Sequence, residues 1–152
     1  MSYIELDLER GAEIRALSWK EPYGSLMLHG KIETRQWQTS YRGLVLICTS
    51  KIEYTTEEVC MISYGNMFSR IAHMIMNNEL ISDPGKAIAV GRLVDCRVMR
   101  PSDEEKAFVR YHSTLWCHIY ADVVPIESFS WSGGMKWRKV GPEVVKSLKF
   151  LH

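Results

Sequence analysis

The period of the apolar positions changes several times along this chain, and each change marks an element. Tyr3, Glu5 and Asp7 alternate with Ile4, Leu6 and Leu8, which predicts a half-buried strand ended by Gly11. Ile14 to Trp19 reads as a second short strand. Pro22 then opens a helix that turns Leu26 and Met27 inward and stops at Gly30. Strands are predicted over Ile32 to Trp37 and Gly43 to Thr49, joined across the polar turn Thr39-Ser40-Tyr41-Arg42.

A helical period follows. Thr55-x-x-Glu58 is a capping-box signature, and Val59, Ile62, Phe68, Ile71, Ala72 and Ile75 recur at near-helical spacing, with Gly65-Asn66 dividing the stretch into two helices. This segment, about residues 55–82, reads as a helical insertion between strands. Its methionines Met61, Met67, Met74 and Met76 are expected mainly to fill the core, with an adaptable contact surface as the alternative. Asp83-Pro84-Gly85-Lys86 is a turn before a long strand, Ala87 to Met99. Pro101 and Asp103-Glu104-Glu105-Lys106 begin a short helical excursion, and Leu115 to Val124 returns as a strand ended by Pro125. Val144, Val145, Leu148 and Leu151 give the tail helical spacing. Short strands alternating with a few helices in 152 residues predict one α+β domain whose strands curl into a small mixed barrel.

Composition narrows the classes. No run approaches the roughly 18 apolar residues of a membrane helix, and the acidic start lacks a signal-peptide profile, so a cytoplasmic protein without membrane contact is expected. Cys48, Cys60, Cys96 and Cys117 form no C-x-x-C pair, and the five histidines show no ligand spacing. No metal, disulfide framework or cofactor is predicted.

The net charge of +1 argues against binding through bulk electrostatics, yet the charge is unevenly spread. Between residues 15 and 51, Arg15, Lys20, Lys31, Arg35, Arg42 and Lys51 outnumber Glu21 and Glu33. Between residues 130 and 149, Lys136, Arg138, Lys139, Lys146 and Lys149 face Glu143 alone. If the two segments meet they form one positive face; otherwise they are ordinary solvated charge.

The first basic segment also carries the candidate chemistry. By alternation Ile32, Thr34 and Gln36 share one face of their strand, and Lys31, Glu33, Arg35 and Trp37 the other. A guanidinium beside a carboxylate and an indole suits phosphate or a nucleobase edge, with a structural Arg35-Glu33 pair closing the barrel mouth as the alternative. Trp19, Tyr23, Trp37, Tyr41, Trp131 and Trp137 lie in or beside the basic segments, the mixture of ring faces and cations that single-stranded RNA binding uses. At least half of these rings are expected to serve packing. Ser130-Trp131-Ser132-Gly133-Gly134 has glycines that admit a phosphate, but no P-loop pattern.

Lys20-Glu21-Pro22-Tyr23, Gly30 to Arg35, Trp37 to Gly43, Thr49-Ser50-Lys51, Ala87 to Cys96 and Ser132 to Trp137 together resemble the ASCH domain, a PUA-like β-barrel family associated with RNA. The resemblance runs from Ile14 onward, with a hairpin two residues shorter between its glycine and its glutamate. It implies a cleft bordered by the Lys20–Tyr23 turn, the Glu33–Trp37 strand and the Ser130–Trp137 loop. Aromatics would stack a base, Arg35, Arg42 and Lys51 would hold phosphate, and Glu33 would read a base edge. RNA or a nucleotide-like molecule is the implied ligand, with DNA possible. Two other readings stand beside it. The resemblance also covers amidohydrolases acting on 4-acetylcytidine and ribonucleases, for which Lys31, Thr34 and Glu33 are the nearest catalytic counterparts. The third reading is a protein-interaction module using the Met-rich helices.

Overall fold

A computed structural model describes residues 2–151. One mixed sheet of six strands carries helices on both faces, the α+β architecture expected. In chain order the strands are β1 (Ile14–Trp19), β2 (Glu33–Arg35), β3 (Gly43–Thr49), β4 (Lys86–Val98), β5 (Trp116–Ser130) and β6 (Arg138–Lys139), and their spatial order is β2-β5-β4-β3-β1-β6. Only β1 and β3 run parallel; the other pairs are antiparallel. The apolar run Leu44 to Cys48 in β3 is buried throughout because it lies inside the sheet with both faces covered. Val45 and Ile47 join a core with Leu26, Val59 and Ile71 beneath the helical insertion. Leu44, Leu46 and Cys48 join a second core with Ile4, Ile14 and Ile126.

Long β4 and β5 form the spine, and shifts in their register bend the pair. The bend brings the two ends of the sheet near each other without closing it. Arg35 of β2 donates from Nη2 to the Ser18 carbonyl of β1 at 2.9 Å, and Trp37, just past β2, meets Trp137, just before β6, with ring centres 5.9 Å apart. Among the described residues β2 and β6 do not pair, so the expected barrel is a curled open sheet whose seam is bridged by side chains.

Several elements follow the sequence pattern closely. The Pro22 turn leads into α2 (Tyr23–Leu26), a 3₁₀ turn follows, and Gly30 ends it at φ +79°. Thr55 and Glu58 make the capping box of α3 (Thr56–Ile62), and α4 (Asn66–Met76) starts after Gly65. Within this insertion Met67 is buried, whereas Met61 and Met76 are largely exposed. The excursion after Pro101 forms α5 (Glu104–Ala107).

Other expectations are corrected. Residues 3–8 are not a strand: Tyr3–Glu9 form α1, because Ser2 and Glu5 close a reciprocal capping box and Ile4 and Leu8, one turn apart, turn toward the second core. β2 and β3 do not form a hairpin; β2 pairs with β5 instead, leaving residues 36–42 as a connection across the seam. β5 runs through Pro125 because pairing with β4 is interrupted there, Ala89 facing Pro125 and Ala87 facing Phe129. The tail gives only α6 (Pro142–Ser147), after which Phe150 bridges Ile126.

Candidate functional site

The seam is built around three charged side chains of one strand face. Alternation turns Lys31, Glu33 and Arg35 to the same side, as the sequence predicts. The Lys31 ammonium donates to Glu33 Oε1 at 2.9 Å and to the Ile32 carbonyl at 2.9 Å. Arg35 Nε donates to Glu33 Oε2 at 2.8 Å. Lys31 and Glu33 are buried, whereas the Arg35 side chain keeps 20% of its surface and stands at the opening. The row therefore carries one more cation than anion, and the surplus faces outward.

Burial pushes the Glu33 carboxyl up, but Lys31 and Arg35 outweigh it and hold the group below its ordinary carboxylate value. Burial also pulls the Lys31 ammonium below its usual value, against the attraction of Glu33. A buried Lys-Glu-Arg row is a costly way to stabilise a seam. Its outer guanidinium is the group free to act, because Nη1 makes no hydrogen bond among the described residues.

Aromatic rings enclose this row. The Arg35 guanidinium lies 4.9 Å from the Trp19 ring centre and 6.0 Å from that of Trp37, and the Lys31 ammonium lies 5.5 Å from the Tyr23 ring. Trp19 packs edge-on against Tyr120 at 5.9 Å, and Trp37 against His118 at 4.9 Å. Lys20 sits 4.9 Å above Tyr54 and forms a basic rim beside Tyr23.

Three buried polar atoms in this ring cluster have no protein partner: Trp19 Nε1, His118 Nδ1 and Tyr120 Oη. His118 Nε2 lies 2.8 Å from the Trp37 carbonyl, so that nitrogen carries the proton and Nδ1 is left as an acceptor. Burial lowers the His118 pKa, which keeps the ring neutral, and burial raises that of Tyr120, which keeps its hydroxyl protonated. Buried polar groups are nearly always paired in proteins, and these three are fully enclosed, so the charged group of this cluster that reaches the surface is the Arg35 guanidinium.

Not every predicted residue joins the cluster. Tyr23 is buried and its hydroxyl shares a hydrogen bond with Ser63; burial pushes it up to about 12, so the phenol packs and does not titrate. Tyr41 is a pin: its hydroxyl donates to the Leu44 carbonyl at 2.6 Å, and Arg15 covers its ring. Arg42 donates to the Thr39 and Tyr41 carbonyls at the start of β3, while Lys51 lies beyond the other end of that strand against Gly85. Arg35, Arg42 and Lys51 therefore do not meet as a phosphate cradle. Thr34 lies on the opposite face of β2 from Glu33, the residue that the Lys31 ammonium contacts, so no threonine-lysine dyad forms. Ser130 is exposed at the end of β5, and Trp131 is packed into the second core. Lys136 is exposed, while Trp137 joins the seam through Trp37 and Tyr41. The two basic segments do meet, Arg15 pairing with Lys139 and Ala16 with Arg138 across β1 and β6.

His118 and Tyr120 are the residues that sequence reasoning misses. They stand two apart on β5, hence on one face, and Glu33 lies directly opposite His118. Their alternation is visible in the sequence; the pairing of β5 with β2 is not.

Searches with the sequence against protein-family models and against curated proteins returned no match. Among the described residues no cluster of histidine, cysteine or acidic side chains is arranged to hold a metal ion, all four cysteines are free, and no helix is long and apolar enough to cross a membrane.

Proposed function

We propose that this chain is an ASCH-type, PUA-like module of the cytoplasm that binds RNA or a nucleotide-like ligand at the seam of its curled sheet. The observation that carries the reading is Arg35: a guanidinium held by Glu33 and the Ser18 carbonyl, flanked by two indoles, with Nη1 directed to no protein acceptor. Such a group contacts phosphate or a base edge while Trp37 offers a ring face for stacking. Trp19 Nε1, Tyr120 Oη and His118 Nδ1 are enclosed behind the guanidinium, so these side chains form the wall that backs Arg35 and do not themselves touch a base. Glu33 is buried and gives one oxygen to Lys31 and the other to Arg35, so its role is positioning.

The test is a titration of ¹⁵N-labelled protein with uridine, cytidine and adenosine monophosphates and with a short single-stranded RNA. Shifts of the Trp19 and Trp37 indole signals and of the β2 amides, absent in Arg35→Ala, are expected. Shifts confined to other surfaces, or identical in the variant, would refute the site.

A further inference from the structure

A second surface, which adjoins the seam at Trp137 and whose reading does not rest on the proposed ligand, lies between α1 and α6. It is a groove of about 940 Å³. Leu8, Ile14, Val140, Val145, Leu148 and Phe150 line its floor, all packed on the second core. Its walls carry opposite charge. On the β6–α6 side stand Arg138, Lys139 and Lys146, all exposed and in no ion pair among the described residues. On the α1 side stand Glu5, Glu9 and Glu13; Glu5 closes the capping box with Ser2, Glu13 is held by Arg15 at 2.9 Å, and Glu9 is in no ion pair among the described residues.

We infer that this groove is a docking site for an amphipathic helix of a partner protein, with its apolar face on the floor, an acidic flank along Arg138, Lys139 and Lys146, and a basic flank toward Glu9. The apolar floor is what side chains spaced i, i+3, i+4 and i+7 fill. The opposed walls select the flanks, because like charges set against either wall are repelled. A nucleic acid strand satisfies only one wall and leaves the floor uncovered. Trp137 borders the groove and touches Trp37 and Tyr41 at the seam, so the two surfaces share one residue.

Three synthetic 18-residue helical peptides with the same leucine face test this: one with a glutamate flank and a lysine flank, one with both flanks glutamate, one with both lysine. Binding is read by calorimetry and by ¹⁵N amide shifts. The mixed peptide is expected to bind about tenfold tighter than either control, with shifts at Leu8, Val140, Val145 and Leu148. The double variant Lys139→Glu/Lys146→Glu, at exposed positions that leave the circular dichroism unchanged, is expected to prefer the all-lysine peptide. Equal affinity for the three, an unchanged ranking in the variant, shifts elsewhere, or no binding would overturn the proposal. So would displacement of the mixed peptide by single-stranded RNA. Concentration-dependent self-association abolished by the same double variant would assign the groove to a second copy instead.

Discussion

Glu33 sits where two demands on one carboxylate meet. It neutralises a buried lysine with one oxygen and aims an arginine with the other. Replacing it by glutamine leaves the Lys31 ammonium buried without its counter-ion, and the expected loss is about 3–5 kcal/mol of stability, read by urea denaturation. The pH dependence follows from the direction of its shift. Because folding depresses the Glu33 pKa, its contribution is fully present above the ordinary carboxylate range and is lost as pH falls through the lower folded value. The parent protein should therefore lose stability on acidification more steeply than Glu33→Gln, measured by urea midpoints between pH 6 and pH 3; parallel curves would contradict the assignment.

Among the elements, α1 and β2 show best what a sequence conveys and what it hides. Residues 3–8 satisfy a two-residue alternation and also a four-residue spacing of Ile4 and Leu8, and six residues are too few for periodicity to decide. The capping box decides it, through Ser2 and Glu5. Ser2→Ala is expected to cost about 0.5–2 kcal/mol in chemical denaturation, and a cost near zero would mean that packing alone holds the helix. In β2 the side-chain alternation is legible because it is local: Lys31, Glu33 and Arg35 do share a face. Its neighbour is not legible. A connection through residues 36–42 looks like a hairpin turn, but it crosses the seam, and β2 pairs instead with β5, a strand about 80 residues further along the chain. His118 and Tyr120 are hidden for the same reason, whereas the separation of Arg42 from Lys51 follows from the length of β3, whose bounds the sequence does predict.

At the scale of the molecule, an open sheet with a bridged seam frames the site proposed for the ligand. A fully paired barrel would satisfy its edges with backbone hydrogen bonds; here β1 gives its Ser18 carbonyl to Arg35, and indoles span the remaining gap. Charge is gathered in the same way. In a chain of net charge +1, pairing of β1 with β6 brings the two basic segments to one sheet edge, with Arg15 beside Lys139 on one face and Arg138 beside Ala16 on the other, while Glu5, Glu9 and Glu13 stand on the far wall of the groove. The fold class, the long β4, the helical insertion and the charged face of β2 were open to sequence reasoning. The closure of the seam and the groove were not, since both depend on which edges of the sheet approach each other.

The central claim, that Arg35 at this seam contacts a nucleic acid ligand, is tested most directly by fluorescence anisotropy. Labelled single-stranded RNA is titrated with the parent protein, Arg35→Lys and Arg35→Ala at two salt concentrations. Saturable binding that weakens with salt, falls about tenfold or more in Arg35→Ala, and is restored only in part by lysine is the predicted result. Equal affinity for all three proteins, or no saturable binding at the lower salt, would contradict it.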